Sequence, residues 1–565
     1  MKKTKNAKLL FFSVVILVFI LNVIQGGLTE LLPDEAYYWV YSQHMDWGFF
    51  DHPPLVAVWI SISEFLFSNE IGVRFFSAIS FSFLLYIVWK TIDHPKKEEY
   101  TWLFLLIILS TALLNVYGFI TTPDTPLMLF VALFLYAYKE YLSKKSLSSY
   151  LLLAISVAGM MYSKYQGILI VFFVVLSNLR MVRDPRLWLT ALLALVLYLP
   201  HLYWQWANDF PSFRYHLQER VSNRTYKFEH TLMHFVNMIA IIGLTFPIIY
   251  KAFFKNIRTK DTYNRGLNFI IFGFLLFFFF SSFRGRVQAQ WIVPISIPLI
   301  LITYNYLTDR EKARKWFVRL AFINIAIMLI ARVLMFAEGI VPVKLNTHGN
   351  EAWALELQSD TPGQEKIFIN SYQNTATYWY YTGEKAYYMK NFTGRNNHFV
   401  LLQENEDLSA KQAALVSRIR LDHTDFGTHI RGKDSVFTTV VNDYKDLSQI
   451  EIQFTDEEIV LKKNTPNSFD VEITNHFNRT ISPTEFEVSI GFIKARKKEK
   501  HILKALLQTK STTIAPGETI KGIITFNTEE IPNPEIFTTL GIGMTNSNKI
   551  DIIRVSKLHK YLLKD

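Results

Sequence analysis

Eleven apolar runs, each close to the length needed to cross a bilayer, fill the first ~340 residues and leave few folds open to this chain. They lie near 9–25, 72–89, 101–119, 125–138, 150–162, 165–177, 187–203, 234–254, 266–283, 289–307 and 316–337. Several are short for a full crossing, so tilted, bent or extended helices are expected. Segment 53–68 is also apolar. Its opening Pro53-Pro54 and its Glu64 suit a helix lying at the interface rather than a twelfth span. Lys2, Lys3, Lys5 and Lys8 precede the first run, as in a signal peptide. Gln25-Gly26-Gly27 is a poor cleavage site and more apolar runs follow, so a retained first helix is expected.

Charge placement supports this count. Half of the residues are hydrophobic and 19% are charged, with a net charge of +11. The cations do not form a nucleic-acid patch. They gather in alternate loops: Lys90/Lys96/Lys97, Lys139/Lys144/Lys145, Arg180/Arg183/Arg186, Lys251 to Arg265, and Arg310 to Lys315. The positive-inside rule puts these and the N-terminus in the cytoplasm. Loops 26–71, 118–124, around 163–164, 204–233 and 284–288 then share the outer face, and the first two have no Lys or Arg. The site and the C-terminal domains are expected on that outer, extracytoplasmic face. The chain has no Cys, which excludes disulfides, thiol nucleophiles and thiolate-bound metals.

The chemistry-bearing residues sit in those outer loops. Leu31 to Pro54 holds Asp34, Glu35, Asp46 and Asp51 with His44 and His52. Asp34-Glu35 follows Pro33 at the start of a helical segment, where carboxylates suit the first turn of any helix. Adjacent carboxylates on a helix point in different directions, so one can meet substrate while the other is structural. Asp34 is the preferred chemical group, as base or orienter of an acceptor. Asp51-His52 precedes two prolines that restrict the backbone. Asp124, in Thr122-Pro123-Asp124, stands where a span re-enters the membrane, an expensive position for an unpaired charge. Lys164 is read either as snorkelling or as a lipid-phosphate ligand, and Arg284 and Arg286 invite the same contrast. Between Trp204 and Asn237 lie Arg214, His216, Glu219, Arg220, Arg224, His230 and His234, without a third ligand characteristic of zinc. The metal site is left unassigned. Clustered carboxylates have the chemistry to hold Mg²⁺ or Mn²⁺, but no spacing requires it.

Three domains are expected: a membrane domain over 1–340, a small α/β unit over 341–447, and a β-sandwich-like domain over 448–565. The second rests on a strand near Ile367 to Asn370, a helix over Ser371 to Tyr381, and a strand over Lys385 to Met389. The third rests on alternation at Ile450 to Ile452, Phe469 to Ile473, Phe486 to Ile490 and Ile520 to Ile524.

Pro33-Asp34-Glu35-Ala36-Tyr37-Tyr38, Asp46-Trp47-Gly48-Phe49-Phe50-Asp51-His52-Pro53-Pro54-Leu55, Thr122-Pro123-Asp124 and Arg286-Val287-Gln288-Ala289-Gln290-Trp291 together resemble glycosyltransferase family 39 of the GT-C superfamily. The resemblance extends to bacterial dolichyl-phosphate-mannose-protein-mannosyltransferase-like proteins and lipid A aminoarabinose transferases, and it covers about residues 1–340. It implies a polytopic, all-α GT-C membrane domain. Its activity would be inverting transfer of a sugar from a polyprenyl-phosphate donor to a lipid, glycan or protein acceptor at the outer face of a bacterial cytoplasmic (inner) membrane. The catalytic candidates are Asp34, Asp124 and Glu35, of which the resemblance itself picks out Asp34 and Asp124. Asp51, His52, Tyr37, Tyr38, Lys164, Arg284, Arg286, Gln290 and Trp291 are the substrate-binding ones. Gln288 and Gln290 stand where relatives often place other polar or basic residues. The competing reading is a multi-span lipid or polysaccharide-precursor transporter or flippase. It predicts internal repeats and polar residues at the membrane midplane, whereas the polar motifs here cluster at one face.

Overall fold

The computed structural model describes residues 2–219, 226–340, 342, 344–391, 394–403, 406–420, 427–431, 434–494, 499–531, 534–546 and 552–564. Arg220, Arg224 and the side chain of Glu219 lie outside that description. The chain forms two compact units, Met1–His348 and Gly349–Asp565.

The first unit is helical. Its elements are α1 (Lys2–Leu28), α2 (Pro33–Gln43), α3 (Leu55–Glu64), α4 (Glu70–Thr91), α5 (Thr101–Leu109), α6 (Ala112–Val116), α7 (Asp124–Lys144), α8 (Leu147–Ser163), α9 (Ile168–Ser177) and α10 (Pro185–Ala207). There follow α11 (Pro211–Arg214), α12 (Phe228–Ala240), α13 (Phe246–Asn256), α14 (Thr262–Ser282), α15 (Ser296–Thr308) and α16 (Glu311–Phe336). Among the described residues five helices are long and apolar enough to cross a membrane: Lys5–Leu28 within α1, α4, α10, α14 and α16. Their outer faces are apolar. Ile16, Ile20 and Ile24 on α1, and Ile323, Ile327 and Ile330 on α16, stay exposed, as side chains facing lipid do. Inward, Phe11 stacks on Trp89 with ring centroids 4.7 Å apart, joining α1 to α4.

Two expected continuous spans are broken. The run 101–119 divides into α5 and α6 around Ser110-Thr111, and 234–254 divides into α12 and α13 around Gly243. One side chain serves both breaks. Asn324, buried on α16, donates to the carbonyls of Ser110 (2.6 Å) and Ile242 (3.2 Å) and accepts from the Leu244 N–H (3.2 Å). Away from water, backbone groups released by a helix break need such partners. Gly243 has φ +81, and a Cβ there would lie 2.3 Å from the Asn324 amide, so only glycine lets the two meet.

In the second unit α17 (Asn350–Asp360), α18 (Tyr372–Thr382) and α19 (His398–Leu402) accompany a five-stranded sheet of β1 (Glu365–Ile369), β2 (Tyr387–Met389), β3 (Ala410–Ser417), β4 (Gly427–Arg431) and β5 (Asp434–Tyr444). The strand order is β2-β1-β3-β5-β4, parallel through β3 and antiparallel beyond it. α18 is the crossover between parallel β1 and β2, and Gly383 ends it in the left-handed conformation (φ 71). Trp353, Phe368, Tyr378 and Val416 form the core between helices and sheet.

The remaining strands are β6 (Ile450–Phe454), β7 (Ile459–Lys462), β8 (Pro466–Asn475), β9 (Phe486–Lys494), β10 (Glu499–Thr509), β11 (Thr519–Asn527), β12 (Thr539–Asn546), β13 (Ile552–Arg554) and β14 (His559–Lys564). They follow one hydrogen-bonded path, β6-β8-β11-β10-β9-β12-β14-β7, with β13 on β12. β10 changes partner along its length. Residues Glu499 to Ala505 pair with β9, and Leu506 to Thr509 pair with β11. Strict alternation of buried and exposed residues in β8 and β11 supplies the inner face, where Val471, Ile473 and Ile524 are fully buried.

Arg479 ties the two sheets together. It donates to the Asp407 carboxylate (2.8 Å), the Asp446 carbonyl (3.2 Å) and Glu485 (3.4 Å). Burial pushes the Asp407 carboxyl up, but donation from Ser409 and Arg479 outweighs it and leaves the group below its ordinary value of 3.8.

Replacing Asn324 by Leu strands three backbone groups and should lower stability by about 1–3 kcal/mol per unsatisfied group, read as an earlier thermal transition of the detergent-solubilised protein. Because the folded Asp407 pKa lies below the unfolded one, its contribution is present above the unfolded value and lost as pH falls through the folded one. The Arg479→Met protein should therefore lose less thermal stability than wild type between about pH 7 and pH 3.

Candidate active site

The acidic opening segment is held from three directions. Pro33 starts α2 with Asp34 and Glu35 in its first turn, where the free N–H groups and the helix dipole favour negative charge. The two carboxylates diverge. Asp34 is exposed, whereas Glu35 is fully buried (0% exposed). Glu35 Oε2 accepts from the Leu32 N–H (3.0 Å), and Oε1 accepts from Arg74 Nε (2.8 Å) and the Thr121 N–H (2.8 Å). Arg74 Nη2 completes a fork–fork pair with Oε2. Its remaining N–H groups go to the carbonyls at the end of α1, Gly26 (2.8 Å), Thr29 and Glu30 (3.1 Å). With its oxygens taken up in this way, Glu35 serves as an anchor rather than a group that meets substrate.

The same anchor joins the first loop to the second acidic corner. Thr121 is bonded to Glu35 through its N–H, and its hydroxyl donates to the Val73 carbonyl (2.8 Å). Three residues on, Asp124 opens α7 and is buried (4% exposed). Lys164, just past the end of α8, donates to both of its oxygens at 2.9 and 2.8 Å. Two of the three ammonium protons are thus engaged.

The third constraint comes from α10 and α11. Trp204 Nε1 donates to Asp46 Oδ2 (2.6 Å), His201 Nδ1 lies 2.7 Å from the Trp47 carbonyl, and Ser212 Oγ donates to the Phe49 carbonyl (3.0 Å). His216 Nε2 is 2.9 Å from the Asp51 carbonyl. At Gly48 a Cβ would sit 2.3 Å from the Trp204 ring, so the glycine permits this close approach. Tyr165, beside Lys164, reaches His201 Nε2 (3.0 Å) and accepts from Gln205 Nε2 (3.0 Å). His201, Trp204, Gln205 and Ser212 were not among the sequence candidates. Polar His201 and Gln205 inside an otherwise apolar helix were the available signal.

Tyr37 and Tyr38 are buried rather than displayed. Tyr37 packs edge-on to Tyr41 (4.8 Å), Tyr38 packs edge-on to His52 (5.8 Å), and Tyr41 stacks on Phe49 (4.1 Å). Burial, with Tyr37 and Asp51 nearby, pushes the Tyr41 hydroxyl well above its ordinary range and keeps it neutral. Asp51 is buried, and His52 is half-buried between Tyr38 and His216.

The Arg284 to Trp291 corner has its own supports. Asn237 donates to the Val287 carbonyl (2.8 Å), Gln290 to Gln288 (2.9 Å), and Trp291 packs on Phe278 (5.8 Å). Arg284 and Arg286 are exposed, and among the described residues no hydrogen bond or ion pair joins either to the carboxylates. Glu35, Asp46 and Asp124 are each engaged by a cation or an N–H group, and no step below runs through a metal.

Residues 51–204 match the family described as dolichyl-phosphate-mannose-protein mannosyltransferase. Crystal structures of ArnT from Cupriavidus metallidurans share the architecture. The apo form has a TM-score of 0.57 at 15% identity over 77% of this chain and 98% of that one. The form bound to undecaprenyl phosphate has a TM-score of 0.57 at 15% identity over 76% and 97%. The fold is that of these ArnT structures. A curated relative, lipid A galacturonosyltransferase RgtD of Rhizobium johnstonii, is 25% identical over 304 residues, 51% of this chain. The match spans 58% of that relative's own length. The family region includes Asp51, His52, Asp124 and Lys164, while Asp34 and the Arg284/Arg286 corner fall outside it.

Removing either partner of the buried Glu35–Arg74 pair leaves an uncompensated charge. Arg74→Met should lower stability by about 3–5 kcal/mol, and adding Glu35→Gln should recover part of that loss in the same thermal-unfolding assay.

Proposed function

We propose that this protein is an inverting glycosyltransferase that moves a sugar from a polyprenyl-phosphate carrier to an acceptor at the outer face of the cytoplasmic membrane. A lipid acceptor of the lipid A type is favoured, by analogy with the activity in the curated relative's name. The likeness to a GT-C protein captured with undecaprenyl phosphate supports the donor class. The observation that carries the reading is the pair of diverging carboxylates at the start of α2. Glu35 is locked to Arg74 and Thr121, which leaves the exposed Asp34 at a fixed place on the adjoining surface.

In this reading Asp34 accepts the proton of the acceptor hydroxyl or amine, or orients it, as its oxygen or nitrogen attacks the anomeric carbon. The glycosyl–phosphate bond breaks on the opposite face, and the carrier phosphate leaves with the bonding electrons. Negative charge grows on that phosphate, and fixed cations stabilise it. Arg284 and Arg286 are exposed and suit this role, because guanidinium groups bind phosphate oxygens two at a time. Asp124 and Lys164 neutralise one another, and act by fixing the corner beside Glu35.

Asp34→Asn protein, correctly inserted and with wild-type thermal stability, should transfer sugar about 10²–10⁴-fold more slowly from a synthetic polyprenyl-phosphate donor. Mass analysis of membrane glycolipids in cells from which the gene has been deleted should show accumulated carrier-linked sugar and one missing modification. A normal transfer rate removes Asp34 from the mechanism. An unchanged glycolipid profile removes the transferase reading.

A further inference from the structure

A second cluster of chemistry-bearing side chains lies in the C-terminal unit, away from every sequence motif discussed above. Glu356 and Asp360 are four residues apart on α17, so their carboxylates leave the same helix face. His429, on β4 at the end of the five-stranded order, lies opposite them. Its Nδ1 is 3.8 Å from Glu356 Oε1 and 3.9 Å from Asp360 Oδ2. One donor atom from each of the three residues falls within 4.8 Å of the others.

The imidazole is almost wholly buried (3% exposed), whereas both carboxylates are exposed. Nδ1 is itself buried and has no hydrogen-bond partner among the described residues. A buried ring nitrogen left unbonded is destabilising, and the separations to the carboxylates are too long for a hydrogen bond. They are close to those between two ligands of one ion, because donors ~2.1 Å from a shared metal lie about 3–4 Å apart.

We propose that Glu356, Asp360 and His429 form a zinc site that fastens α17 to β4. An imidazole nitrogen with two carboxylate oxygens suits Zn²⁺ better than Mg²⁺ or Ca²⁺, which prefer all-oxygen shells. Three protein ligands leave a fourth position to water at the exposed side. Binding closes the small remaining gap between the helix and the edge strand and satisfies the orphaned Nδ1. The inference is independent of the glycosyltransferase reading.

The test uses full-length protein in detergent, stripped with EDTA and re-equilibrated with Zn²⁺. The main comparison is with the double variant Glu356→Gln/Asp360→Asn, whose changes fall on exposed side chains and preserve size. Wild type should retain one Zn²⁺ more per chain than the double variant. Its Zn²⁺ affinity should be about tenfold or more tighter, and Zn²⁺ should raise its unfolding temperature without raising the variant's. His429→Gln should abolish the same equivalent. Equal zinc content and equal zinc-dependent stabilisation in all three proteins overturn the site. So does a stability difference that depends on pH but not on metal, which would make the cluster a protonated-histidine ion pair only.

Discussion

Arg74 carries its charge inside the helical unit and gives all of it away. Its guanidinium faces the Glu35 carboxylate on one side and the carbonyls at the end of α1 on the other, while Glu35 also takes the Thr121 amide. Three separate stretches of chain therefore meet at one neutralised, hydrogen-bonded point. A charge in such surroundings is tolerable only when every donor is answered, which turns the pair into a geometric constraint on the loops around it. Asp34 inherits its place from that constraint, since it follows Pro33 and precedes Glu35 on the same turn.

The helices around this point are not uniform rods. α5 and α6, and later α12 and α13, are separated by breaks that expose backbone groups within an apolar surround, and Asn324 answers both. A short amide side chain can donate and accept at once, so it can cap the end of one helix and the start of another. Gly243 supplies the backbone shape and the space. Together they let short helices pack where unbroken ones would run past each other.

The helical, apolar character of the first unit could be read in the sequence because lipid imposes a simple rule on composition, and long apolar runs follow from it. The motif around Asp34 to Pro54 was legible for a similar reason: acidic residues without nearby cations stand out beside apolar segments. The breaks were not legible, since hydropathy averages over Ser110 and Gly243 and does not register a lone Asn. Nor was the engagement of Lys164 by Asp124, because forty positions separate them and neither carries a sign of the other. The grip of His201, Trp204 and Ser212 on the 46–51 segment depends on a fold that brings chain positions more than 150 apart into contact. In the C-terminal unit, alternation revealed strands but not their order, which long-range pairing decides.

The partner exchange within β10 has a consequence for how that region comes apart. Its first seven residues belong to the ladder with β9 and its last four to the ladder with β11, so one stretch of backbone is a member of two hydrogen-bonded neighbourhoods. Neither neighbourhood can peel away while the other stays whole, because the shared strand would have to remain straight and shear loose at once. Amide hydrogens on either side of the switch at Ala505 and Leu506 are therefore bound to exchange with solvent through a common opening, as though one latch closed two doors.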